Sequence, residues 1–385
     1  MLKKLISWHI KKWWPLLLII TLLTVIPFVS NIQAMNLYRN PSYNSSYGVN
    51  SLFLLSVFIP IMIATFVLPI FVYIFRTSLQ AVDCFYQAGY EKKTITRVRV
   101  LIGLAILLIS FTIAFLFGYI TLVLRYVSSP DVITSPYNPD AEMAKIYLNF
   151  GYIFLFYVFF LIVLTGQYFI NCFFVSLGDN IISQIFLMIL GAVITTLFLA
   201  SPYAYIYLSL LRNGLTINSV TGQFALIGAG PIQSMAALFL LMGSPIERGY
   251  FEFTPEYGCF FLLFSLIIHL VFSVLSAVYV MFTSVPSGEH AGRSTPRNWA
   301  ITIIPHLGAL LLAILFALTG YVASGIISIF SIGGYLFFVT AYYALLSLLR
   351  KSFKPKPLDL IALICVAATG LLFVIMSNAL GITIY

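Results

Sequence analysis

Apolar stretches long enough to cross a lipid bilayer recur from one end of this chain to the other. A helix needs about 20 such residues to span the hydrocarbon core. They are expected at about 13–31, 51–75, 100–124, 148–174, 182–210, 257–283, 299–319, 324–349 and 358–380. Of the 385 residues 61% are hydrophobic and only 8% charged, against about 25% charged in a soluble domain. The expected fold class is therefore all-α, a polytopic membrane protein of about nine transmembrane helices. The first apolar run is long and has no small-residue cleavage site after it, so it is expected to stay as an anchor.

The basic residues orient the spans. Lys3, Lys4, Lys11 and Lys12 precede the first one, which places the N-terminus in the cytoplasm. The region 224–244 is nearly long enough to cross, but Gly228, Gly230 and Pro231 interrupt it. If it does not cross, all of the 20 lysines and arginines except Arg39, Arg125, Lys145, Arg212 and Arg248 fall on the cytoplasmic side. We therefore expect a re-entrant hairpin on the outer face, its broken backbone sheltered by protein. The segment LKKLISWHIKKWW is expected to be an amphipathic interfacial helix, with Leu2, Ile6, Ile10 and Trp13 on one side. Lys4, His9, Lys11 and Lys12 then lie toward the other.

Several chemistries are excluded. Cys84, Cys172, Cys259 and Cys365 are scattered, with no CxxC pair for metal or redox work. His269 and His306 fall within spans without a carboxylate nearby, as expected of packing residues. The spans are almost empty of acids and bases away from their ends, whereas ion-coupled carriers keep such residues near the midplane. GxSxG, HExxH and phosphate-loop patterns are absent, so neither hydrolytic chemistry nor ATP hydrolysis is expected of this chain. Nothing points to nucleic acid.

One long polar passage with several charges interrupts the first 120 residues: RTSLQAVDCFYQAGYEKKTITRVRV, Arg76 to Val100. Residues 77–90 have Leu79, Val82, Phe85 and Tyr86 at helical spacing and Gly89 placed to end the helix. Lys92, Lys93, Arg97 and Arg99 then lead into the third span. A short cytoplasmic helix joined to two spans is a handle by which a soluble partner could tilt both.

This passage, as DCFYQAGYEKKTI, resembles the segment between spans two and three of Gram-positive permeases of the second bacterial type of ABC exporter. Asp83 matches the acidic start, Phe85 and Tyr86 the aromatics, Glu91 to Lys93 the charged positions and Ile95 the apolar one. Gly89 and Tyr90 stand where the family has a Leu-Pro-like turn. The family's S-E-x-A-G after the sixth span is similar to GEHAG, Gly288 to Gly292, without the preceding basic pair. The interfacial helix, coupling helix and re-entrant outer hairpin are further landmarks of the same family. The resemblance covers roughly residues 1–300.

It implies a six-span transmembrane domain over 1–298, with 299–385 as accessory C-terminal helices. The chain would be a plasma-membrane permease, paired with a second permease, identical or related. A soluble ABC ATPase would dock on Asp83, Phe85, Tyr86, Gly89, Glu91 and Lys92, with Glu289, Gly292 and Arg293 as a second contact. ATP and magnesium would be bound by that partner; no cofactor is expected in this chain. The 35 Phe and 24 Tyr suit a hydrophobic or amphipathic cargo such as a peptide, in a protein surrounded by membrane lipids. The competing readings are a secondary transporter and a membrane enzyme acting on a lipid-linked substrate. For the enzyme, Glu247, Arg248, Glu252 and Glu256 would be the outer-face candidates.

Overall fold

The computed structural model describes residues 2–34, 49–77, 91–128, 150–178, 180–192 and 269–283, with single positions at 87, 89, 195, 267, 340 and 364. Every regular element among them is helical. They are α1 (Leu2–Ala34), α2 (Val49–Tyr73) continued by a 3-10 turn (Ile74–Thr77), α3 (Lys92–Ser128) and α4 (Phe150–Ser176). Two shorter helices follow, α5 (Ile181–Ala192) and α6 (His269–Phe282), the latter ending in a π-helical turn, Tyr279–Thr283. Lys3–Ser30, Lys93–Thr121 and Tyr157–Ser176 are each long and apolar enough to cross a membrane. The described part of the chain is thus a helical membrane protein.

Helix direction follows from paired contacts. Along α1 and α3, Trp13 meets Arg99, the Thr21 and Ser110 hydroxyls lie 3.0 Å apart, and Phe28 lies against Gly118. Both residue numbers rise together, so α1 and α3 run parallel. Tyr168 donates to Val100 O at 2.9 Å while Tyr157 bonds Thr112 at 2.8 Å, so α4 runs antiparallel to α3. His269 lies beside Val163, Ser273 beside Gly166 and Tyr279 beside Phe173, so α6 runs parallel to α4. That is the direction required if one crossing, by 182–210, separates α4 from α6.

Small residues let these helices approach closely, as membrane interfaces need in the absence of a hydrophobic drive between helices. A Cβ on Gly118 would fall inside the Phe28 ring, and one on Gly103 would run into the Tyr168 hydroxyl. The core between α1, α2, α3 and α4 is filled by Ile61, Leu68, Val72, Leu107, Phe111, Phe160 and Leu164, all fully buried. Hydroxyls in the apolar helices are satisfied by their own backbone: Thr21, Thr24 and Thr112 each donate to the carbonyl four residues earlier. Asn180 caps α5, accepting from Ser183 N at 2.7 Å, and the Ser183 hydroxyl accepts from Asn180 N in return.

Two expectations change. The N-terminal amphipathic piece and the first span form one continuous helix, with Pro15 inside it. A proline deletes a single backbone hydrogen bond, and neighbouring elements can hold the helix together around it. The facing is also different: Leu5, His9 and Trp13 are buried while Ile10 is exposed. The row spaced by four and seven residues that packs Ile20, Thr24 and Phe28 runs back through Trp13, His9 and Leu5, and it overrides the polarity of His9. The hairpin 224–244, the loop 284–297 and spans 299–319, 324–349 and 358–380 lie outside the described residues, apart from the helical positions Thr340 and Ile364.

Candidate functional site

One end of the bundle gathers the start of α1, the end of α2, the start of α3 and the end of α6. Arg99 sits at its centre. Where helix α2 passes into the 3-10 turn, Arg99 Nε donates to Val72 O at 2.8 Å and Nη2 to Phe71 O at 2.9 Å. A cation is also the favoured charge at a helix C-terminus. The guanidinium lies 4.5 Å from the Phe75 ring centre and 5.0 Å from that of Trp13. Arg99 is only 5% exposed. One side chain of α3 therefore holds the end of α2, the 3-10 turn after it and α1.

Arg97, two residues earlier, points to a different neighbour. Its Nε donates to Met281 O at 2.7 Å, and its guanidinium lies 5.3 Å from the Phe282 ring centre. The acceptor belongs to the π-helical turn, where wider winding changes which carbonyls are available; such turns concentrate at functional positions. Arg97 thus ties the start of α3 to the end of α6, from which the chain enters 284–298. Hydrogen bonds to a charged donor contribute about 1.5–3 kcal/mol each, so these are strong ties among the helix ends.

Of the residues expected to form the docking surface, three are described. Gly89 is exposed with φ of 73°, a left-handed conformation that glycine adopts without strain. It stands two residues after helical Gln87, as a helix-ending glycine should. Glu91 is exposed and precedes α3: its carbonyl accepts from Ile95 N at 3.1 Å and its carboxylate from the Thr94 hydroxyl at 3.4 Å. Its negative charge at the start of α3 suits the positive end of that helix. Lys92 is the first residue of α3. Asp83, Phe85, Tyr86, Glu289, Gly292 and Arg293 lie outside the described residues. Among the described residues no group of three or more metal-binding side chains occurs.

The two arginine ties were not expected from the sequence, where Arg97 and Arg99 counted only as part of the basic stretch that leads into the third span. The available signal was their position one and two turns inside an apolar-periodic run: Ile95, Val98 and Ile102 flank them. Comparison with protein families, curated proteins and solved structures finds nothing similar.

Proposed function

We propose that the chain is the permease subunit of an ATP-driven ABC exporter. The segment between Arg76 and Lys92 would receive a separate soluble ATPase subunit, and that partner would bind the nucleotide and its magnesium. The single observation that carries this reading is the Arg99 clamp. A handle is useful only if what it is attached to moves as a unit. Arg99 joins the helix before residues 78–91 to the helix after them and adds Trp13 of α1, so force on that segment reaches three helices together. Arg97 extends the linkage to α6 and so toward Glu289, Gly292 and Arg293, the proposed second contact. A second permease would complete the pathway, and a hydrophobic or amphipathic compound or peptide is the proposed cargo.

A secondary transporter would use a polar site in mid-membrane, and Thr65, Gln167 and Asn171 are polar and buried. Their hydrogen bonds close on themselves, however. Gln167 Nε2 donates to Asn171 Oδ1 at 3.1 Å and Asn171 Nδ2 to Thr65 O at 2.9 Å, the pattern of helix-to-helix adhesion.

The test is co-purification of the tagged chain from its native host in mild detergent. The expected result is a soluble ATPase with a phosphate loop, released by Phe85→Ala with Tyr86→Ala. Recovery of a folded chain with no such protein would overturn the proposal.

A further inference from the structure

The exposed side of α1 changes character along its length without changing direction. At 100° per residue, Leu18, Ile19, Leu22, Leu23 and Ile26 share one face, all between 46% and 60% exposed. Going back toward the N-terminus, the same face carries Lys12, Lys11, Trp8 and Lys4, all exposed. The opposite face packs into the bundle through His9, Trp13, Ile20 and Thr24. An apolar stripe on a membrane-crossing helix faces acyl chains, so the basic turns that continue it face the headgroups of the same lipids. Lys12 Nζ lies 4.9 Å from the Trp8 ring centre, and Trp14 is 57% exposed; exposed tryptophans mark headgroup level. Helix α1 is also long enough for both regions: its 33 residues reach roughly 50 Å at 1.5 Å per residue, against about 30 Å of hydrocarbon.

We propose that an anionic phospholipid docks along this face, its acyl chains on Leu18, Leu22 and Ile26 and its phosphate between Lys11 and Lys12 beside Trp8. Charge complementarity selects the headgroup, because the face carries three lysines and Glu91 is the only carboxylate among the described residues. The continuity of the face with the apolar stripe selects a lipid over a soluble anion or an acidic protein. The inference stands apart from the exporter reading, since it uses only the membrane-crossing character of α1.

Native mass spectrometry of the full chain, exchanged from detergent into an equimolar mixture of phosphatidylglycerol and phosphatidylcholine, tests it. A basic residue near a membrane surface favours anionic lipid about fivefold. The wild-type chain should retain phosphatidylglycerol preferentially, and Lys11→Gln with Lys12→Gln should lower that preference about 25-fold. Lys3→Gln with Lys93→Gln removes the same charge from two exposed positions off this face and should change the preference by less than twofold. All the substituted side chains are exposed, so thermal unfolding should match the wild type. Equal loss in both double variants would reduce the effect to bulk charge and overturn the proposal. So would the absence of any preference in the wild type. A dimer that shields Lys11 and Lys12 from acetylation without retaining lipid would give the face to a second copy instead.

Discussion

Arg99 connects the most elements for its size. Replacing it with Leu removes the charged donor from Val72 O in a buried setting, where a lost partner costs about 1–3 kcal/mol, and from Phe71 O in a partly buried one. We expect Arg99→Leu to lower the thermal unfolding midpoint in detergent by roughly 5–10 °C. Arg99→Lys keeps the charge but not the planar fork, and should fall between the two. The apolar residues around Arg97 and Arg99 signalled their place inside a packed helix, but not their partners, because those are carbonyls of other helices and, for Arg99, a tryptophan 86 positions earlier. His9 was misplaced for a similar reason: its polarity suggested the wet face, but the packing row that sets the rotation of α1 lies mostly downstream of it. Gly89 was legible, since the need for positive φ is a local property.

Among the described residues, helix existence was readable from apolar runs, and helix ends were not. The stretch expected at 100–124 is α3, Lys92–Ser128, because the basic turns before the hydrocarbon contain no breaker and continue the helix outward. Parallel packing of α1 on α3 depends on Gly118 receiving Phe28. Gly118→Ala should therefore destabilise by about 1–3 kcal/mol through overpacking, read as a lower unfolding midpoint. Helix directions make a separate prediction. In a cysteine-free background, cysteines at Lys4, Lys93 and Thr283 should react with a membrane-impermeant maleimide from one side of sealed vesicles, and a cysteine at Val127 from the other. Labelling of Thr283→Cys from the side of Val127→Cys would reverse α6 and with it the arrangement of the candidate site.

The bundle end where α1, α2, α3 and α6 meet gives the polar passage of residues 76–100 a mechanical setting. Composition was enough for the membrane class, because 61% hydrophobic and 8% charged residues leave no other solvent for the chain. The partner that would use the handle is not written in helix periodicity; it rests on short motifs and on the geometry of two arginines. The most direct test replaces Tyr86 with a photo-crosslinking phenylalanine analogue in the native host and identifies what irradiation attaches to it. The account predicts a soluble protein carrying an ATP-binding phosphate loop, with capture reduced when Phe85 is Ala. Capture of lipid alone, or of this chain alone, in cells that retain the folded protein would contradict it.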